Sequence, residues 1–90
     1  MRSALLLALL LLCARGALAL DPIRVAADVY MFAGDMGEPT VDNGADTGNA
    51  GFIVAQHGVI VIDTGASRRR GEAMIEAIAR VTDKPVRLVI

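Results

Sequence analysis

The second half of the chain contains a strand–helix–strand pattern, and no other feature of the sequence limits the fold as strongly. The apolar run Val-Ile-Val-Ile at 59–62 predicts a strand. Ser67 is a suitable N-cap for the helix that follows, and Pro85 ends that helix and opens a second apolar run at 86–90. Between them, apolar residues recur at the spacing of one helix face over residues 69–81, namely Met74, Ile75, Ile78 and Val81.

The first half of the chain predicts further strands. Branched and aromatic residues favour strands at about 23–25, 28–33 and 49–55. The turn Gln56-His57-Gly58 joins the third of these to a strand at 59–63 as a hairpin, in which Gly58 is free to adopt a positive φ. A hairpin meander that leads into a strand–helix–strand unit predicts a mixed sheet with its helix on one face. Because the runs at 59–62 and 86–90 do not alternate, we expect both strands to be buried.

A long polar segment separates the second strand from the third. Residues 34–48 contain four glycines, one proline and four acidic residues, and they show little periodicity. Loops of about 15 residues are uncommon in small domains and are often functional.

The N-terminus has the parts of a secretory signal peptide. Arg2 precedes an apolar run of 11 residues at 4–14, and Ala17-Leu18-Ala19 supplies the small residues of a cleavage site. The run is shorter than the roughly 20 residues that span a bilayer. We therefore predict a signal peptide at 1–19 with cleavage after Ala19, a periplasmic or secreted location, and no membrane attachment of the mature chain.

Removal of residues 1–19 changes the charge and the cysteine count. Arg2, Arg15 and the single cysteine, Cys13, leave with the leader, so ten acidic and seven basic residues remain, for a net charge of −3. The absence of a basic stripe argues against nucleic acid as a partner. The one positive run, Arg68-Arg69-Arg70, is interpreted as a solvated turn before the helix. Without cysteine, the mature chain forms no disulfide and offers no thiolate to a metal.

Asp63 follows the strand at 59–62 directly and begins the tripeptide Asp-Thr-Gly. One interpretation is structural, because an aspartate at a strand end can accept hydrogen bonds from the backbone of the next turn. A second is an aspartic protease half-site: Asp63-Thr64-Gly65 resembles the active-site signature of that family, in which two carboxylates share a proton and activate a water. The helix predicted over 69–81 disfavours the protease, since that family continues as an all-β segment.

The residues around Asp63 support a third interpretation. The relevant stretches are Asp-Val-Tyr at 28–30, the Gly34 loop with Glu38, Asn-Ala-Gly-Phe-Ile-Val at 49–54, Val-Ile-Asp-Thr-Gly at 61–65 and Thr-Asp-Lys-Pro-Val at 82–86. In this order, with a helix between the last two, they resemble the N-terminal part of the metallo-β-lactamase-fold hydrolases. The resemblance covers about Val25 to Ile90 and is closest to the exported branch called quinoprotein relay system zinc metallohydrolases.

The resemblance implies an α+β fold of the αββα sandwich type. Residues 20–90 would be its N-terminal portion, truncated before the metal-binding motif. In the family, a turn after the strand that corresponds to 86–90 carries His-x-His-x-Asp-His and binds zinc, which makes hydroxide available near neutral pH. That hydroxide attacks an ester, thioester or amide bond of a small-molecule substrate. Asp63 would support the metal-bearing turn by accepting hydrogen bonds from it.

Under this hypothesis the 90 residues supply no catalytic residue and no metal ligand. Their one histidine, His57, is predicted to be an exposed turn residue, because a zinc site typically needs three protein ligands. We therefore expect zinc in the full-length family member but no zinc and no activity in this chain alone. The branch implies a functional link to quinoprotein dehydrogenase systems. The competing hypothesis is a small exported protein that binds a ligand and catalyses nothing.

Overall fold

The computed structural model describes residues 20–90, so the predicted signal peptide and its cleavage site at Ala19 lie outside the described residues. The elements in chain order are β1 (Ile23–Ala26), β2 (Val29–Phe32), β3 (Ala50–Val54), β4 (Val59–Ile62), α1 (Arg68–Val81) and β5 (Val86–Val89). Each strand and the helix lies within one residue of the bounds that hydrophobic periodicity and turn residues predict.

The five strands form one mixed sheet in the order β1-β2-β3-β4-β5. β1 to β4 are an antiparallel meander, whereas β5 runs parallel to β4 after the helical connection. Neighbouring strands are in register through pairs such as Phe32 with Ala50 and Gly51 with Ile62. The pair of β4 and β5 differs from the other pairs. Because these two strands are parallel, their carboxyl ends lie at the same edge of the sheet.

The αββα sandwich implied by the resemblance is wrong for the described residues. All five strands are hydrogen-bonded into a single sheet, and α1 is the only helix between residues 20 and 90. A sandwich needs a second sheet packed on the first. None of the strands in the described part of the chain is left over to form one. The fold is a small, sheet-dominated one of five strands with one helix.

The core lies between α1 and one face of the sheet. Alternation along each strand directs its buried side chains to the helix side. Tyr30 stacks on Phe52 with ring centroids 4.8 Å apart, and Phe32 lies beside Phe52 at 5.5 Å. Burial of each large apolar side chain contributes about 1.5–3 kcal/mol. The buried residues are Phe32, Ala50, Phe52, Val59 and Val61 from the sheet and Met74, Ala77 and Ile78 from the helix.

The buried face of α1 differs in one position from the predicted one. Ile75 was expected to face the core but is 63% exposed, whereas Ala77 is fully buried. Met74, Ala77 and Ile78 lie at the i, i+3 and i+4 spacing of one face, and Ile75 is rotated about 100° away from Met74. Ala77 is buried in the core between the helix and the sheet, and a periodicity that counts only large apolar residues does not include it.

The predictions that β4 is buried on both faces and that β5 is a buried strand are also wrong. In β4, Val59 and Val61 are buried under α1, whereas Ile62 on the other face is 43% exposed. All four residues of β5 are exposed. The cause is geometric: among residues 20–90 a single helix covers one face, and β5 is the outermost strand, with a neighbour on one side only.

Candidate functional site at the Asp63 edge of the sheet

Among residues 20–90, most of the backbone outside strands and helix lies at one edge of the sheet. β2 ends there, β3 begins there, and β4 and β5 both end there, because Phe32 pairs with Ala50, Gly51 with Ile62, and Val61 with Val89. We call this the Asp63 edge; it comprises the loop at 33–49, the turn at 63–67 and Ile90. Ligands of open α/β sheets bind at the carboxyl ends of parallel strands. The Asp63 edge is therefore the candidate functional site.

Asp63 has an unusual backbone conformation for a residue that is not glycine. Its φ is +63°, in the left-handed region, and it lies directly after β4. Its amide donates a 2.9 Å hydrogen bond to the Ile90 carbonyl, and its Oδ1 accepts a 2.7 Å hydrogen bond from the Thr64 amide. Left-handed backbone costs free energy in most L residues, although aspartate tolerates it better than most. Asp28 and Ala45 have the same conformation, with φ +61° and +60°, so Asp63 is distinguished by its place after β4 and beside the end of β5.

Gly65 completes the turn and meets the first turn of α1. Its φ is +77°, and a Cβ added there would lie 2.6 Å from Cγ of Arg70. The helix begins after Ser67, whose Oγ accepts a 3.0 Å hydrogen bond from the Arg70 amide. The predicted N-cap is thus confirmed, and glycine at 65 is favoured by its left-handed conformation and leaves room for the Arg70 side chain, which a Cβ would displace.

The loop at 33–49 is closed across its base. The Gly34 amide donates to Asn49 Oδ1 at 3.0 Å, and the Asp35 amide donates to the Asp46 carbonyl at 2.7 Å. Inside the loop, Asn43 Oδ1 accepts from the Thr40 amide at 2.8 Å, and its Nδ2 donates to Asp35 Oδ2 at 2.9 Å. These hydrogen bonds give the loop a defined shape although it contains no helix or strand. Its glycine-rich and acidic composition is typical of a loop.

Arg70 joins this loop to the helix. Its side chain is 11% exposed, its Nη2 donates to the Ala33 carbonyl at 3.1 Å, and its Nε lies 4.0 Å from Asp46 Oδ1. That oxygen is buried and has no hydrogen-bond partner among the described residues. The interpretation of Arg68-Arg69-Arg70 as a solvated turn is therefore wrong: all three are helical, and only the first two are exposed. The sequence of the arginine run does not predict that the Arg70 side chain is shielded from solvent, because the shielding depends on a loop that is distant in sequence.

A polar groove lies beside Arg70, between the loop and the first half of α1. It has a volume of about 470 Å³ and is open to solvent. Its charged lining contains both signs, with Asp42, Asp46, Glu72 and Glu76 facing Arg69 and Arg70. Because acidic and basic side chains both line the groove, its charge favours neither anionic nor cationic ligands.

The described residues do not fit a zinc ion by themselves. No group of three or more His, Cys, Asp or Glu side chains between residues 20 and 90 is arranged to hold a metal. His57 is exposed in the β3–β4 turn, as predicted, and that turn is at the end of β4 opposite Asp63. A zinc site needs three or four ligands that converge on one point, and this part of the chain does not provide them.

Gly58 is needed in that turn for a different reason from the predicted one. The positive-φ glycines of the described chain are Gly44 and Gly65, so the expected positive φ at Gly58 is absent. A Cβ at Gly58 would instead lie 2.8 Å from the Pro85 carbonyl oxygen and 2.2 Å from Arg87 Cγ. The glycine permits close approach of β5, which the sequence of the hairpin alone cannot reveal.

Comparison with protein-family models and with curated proteins finds no match to this chain. Between residues 20 and 90, no helix has the length and apolar character needed to cross a bilayer.

Proposed function

We propose that this chain is the N-terminal portion of an exported zinc-dependent hydrolase that is related to the metallo-β-lactamase superfamily. In this proposal Asp63 supports a metal-bearing segment that follows β5. The observation that carries it is the 2.9 Å hydrogen bond between the Asp63 amide and the Ile90 carbonyl. The bond holds Ile90, the residue after β5, beside the backbone of Asp63, so a segment that follows Ile90 would start near the Asp63 carboxylate. This supports the relation that the resemblance implies.

The Asp63 side chain is suited to such a role. It is exposed, and among the described residues only its Oδ1 has a hydrogen-bond partner, the Thr64 amide. Its Oδ2 is therefore free to accept a hydrogen bond from a histidine ring nitrogen or a backbone amide of an adjacent turn. Partners of this kind orient metal ligands, and their removal typically weakens metal binding about 10- to 100-fold.

The proposal assigns residues 20–90 to support and none of them to metal binding, because their ligand set does not fit zinc. The substrate would be a small molecule with an ester, thioester or amide bond. The signal peptide predicted at 1–19 supports a periplasmic or secreted location and a mature chain that is free of the membrane. The mature net charge of −3 supports a partner other than nucleic acid. A link to quinoprotein dehydrogenases rests on the resemblance alone.

The test begins with the reading frame downstream of Ile90. We expect His-x-His-x-Asp-His within about ten residues, the spacing that the family implies for zinc ligands. The protein expressed from the full reading frame should contain stoichiometric zinc and lose hydrolase activity in a chelator. The fragment 20–90 alone should bind no zinc in calorimetry. Tight stoichiometric zinc binding by that fragment would contradict the assignment of its residues to a supporting role.

Asp63 itself is tested in the full-frame protein against a matched aspartate. We expect Asp63→Asn to weaken zinc binding about 10- to 100-fold. Asp28→Asn is the control, because Asp28 is also left-handed, with φ +61°, but lies in the β1–β2 turn at the opposite edge of the sheet. Equal effects of the two substitutions would remove Asp63 from the site. An aspartic protease would instead be inhibited by a statine-type compound and would be insensitive to the chelator.

A further inference from the structure

The arginine run at the start of α1 contains one side chain that differs from its neighbours. The side chain of Arg68 is 92% exposed and pairs with Glu72 one helical turn away, whereas that of Arg70 is 11% exposed. Arginine is almost never fully buried unless it is paired. The burial of Arg70 therefore requires contacts that offset the loss of water, and these contacts lie outside the helix.

Arg70 contacts three residues that lie in two segments of the Asp63 edge, the loop at 33–49 and the turn at 63–67. Its Nη2 donates to the Ala33 carbonyl at the end of β2, and its Nε faces the buried Asp46 Oδ1 in the loop at 4.0 Å. Its aliphatic stem covers Gly65, where even a Cβ would come within 2.6 Å of Cγ. The backbone of Arg70 is itself held in place by the Ser67 cap. One side chain thus joins the loop at 33–49 to the turn that carries Asp63.

We propose that Arg70 is the positioning residue that sets the location of Asp63 relative to the loop at 33–49. This inference rests on the proposed function for the role of Asp63. The positioning itself concerns only the loop at 33–49 and the turn at 63–67. The attraction between the Arg70 guanidinium and the Asp46 carboxylate is screened less than that of an exposed pair, because the two side chains are 11% and 25% exposed. The planar guanidinium bonds the Ala33 carbonyl at the same time, which a lysine ammonium at the end of a flexible stem reproduces poorly.

The test measures amide hydrogen exchange and NMR spectra of the metal-free protein from the full reading frame. Arg70→Met keeps the apolar stem and removes the charge, and Arg69→Met makes the same change at the exposed neighbouring position. In Arg70→Met we expect the Asp35 amide, which bonds Asp46, to exchange about tenfold faster. Exchange of core amides such as that of Phe52 should be unchanged, and Arg70→Lys should restore only part of the loop protection.

The Thr64 amide proton reports on Asp63 itself, because it bonds Asp63 Oδ1 at 2.7 Å. We expect its resonance to move upfield in Arg70→Met and to stay in place in Arg69→Met. Unchanged Asp35 exchange with an unchanged Thr64 resonance would overturn the proposal. Equal acceleration at core and loop amides would also overturn it, since that result assigns Arg70 to general stability.

A second variant keeps the test decisive if Arg70→Met does not fold. Asp46→Asn preserves the shape of the side chain and removes the charge that faces Arg70. It should accelerate Asp35 exchange and move the Thr64 resonance in the same direction by a smaller amount, and no change in either would overturn the proposal. Because these measurements need no zinc, a protein that lacks zinc would contradict the proposed function and leave the result for Arg70 readable.

Discussion

The two edges of the sheet are built from the same strands but have opposite characters. At the edge that carries His57, the two-residue β1–β2 turn is bonded to β3, with the Val54 amide donating to the Asp28 carbonyl at 2.8 Å. The β3–β4 hairpin turn at this edge is packed against the start of β5, with the Val59 amide donating to the Pro85 carbonyl at 2.8 Å. At the Asp63 edge, a loop of about 15 residues, a strained turn and a helix start meet. Short turns suffice to connect strands, so the additional chain at the Asp63 edge makes this edge the candidate functional site.

The largest effect is expected from Gly58→Ala, which tests the close packing of the His57 edge. The added Cβ would be 2.8 Å from the Pro85 carbonyl oxygen, and a backbone atom cannot move aside as a side chain can. We expect the free energy of unfolding to fall by about 1–3 kcal/mol, measured by urea denaturation of the full-frame protein. A loss below that range would show that β5 can shift outward without cost.

Gly65→Ala makes the matched change at the Asp63 edge. The substitution forces alanine to adopt φ +77° and pushes against Arg70, whose flexible side chain can yield. We expect a loss of about 1–2 kcal/mol in the free energy of unfolding, from the left-handed backbone. The two edges should also differ in kind: this variant should accelerate exchange in the loop at 33–49, and Gly58→Ala should not.

Ser67→Ala removes the cap that holds the start of α1 at the Asp63 edge. Its Oγ accepts the Arg70 amide at 3.0 Å, and we expect a loss of about 1 kcal/mol in the free energy of unfolding. Thermal denaturation followed by circular dichroism measures it. Restoration of wild-type stability by Ser67→Asp, which preserves a capping oxygen, would separate the cap from other roles of the serine.

The smallest effects should come from replacing the two left-handed aspartates by glycine. Asp63→Gly and Asp28→Gly each relieve a positive φ, at the cost of a more flexible unfolded chain, so we expect a net gain near 0.5 kcal/mol or less. Asp63→Gly should gain less, because it also removes the hydrogen bond to Thr64.

If the proposed function is correct, only Asp63→Gly weakens zinc binding in the full-frame protein. If the two variants gain the same stability and bind zinc equally well, the two edges do not differ in function.

Much of the fold could be predicted because its signals are local. The apolar periods of 2 and 3.6, Ser67 and Pro85 locate the five strands and the helix to within one residue. The resemblance, by contrast, led to a sandwich that the described residues do not form, because layer number depends on how strands pair across the whole chain. The Asp63 edge was found from the Asp-Thr-Gly tripeptide. The contacts of Arg70 at this edge were not predicted, because the sequence of an arginine run does not show which of its side chains will be shielded from solvent.

The sequence by itself determined which segments of this protein are strand, helix or loop, and that the aspartate at 63 ends a strand. Those properties follow from residue preferences and spacing within a few positions of the chain. Only the tertiary structure decided that Arg70 lies against Ala33, 37 residues away, that Gly58 makes room for Pro85, and that β5 is exposed. The physical reason is the same in each case: burial and close approach are set by the residues that folding brings together, and those residues are distant in sequence.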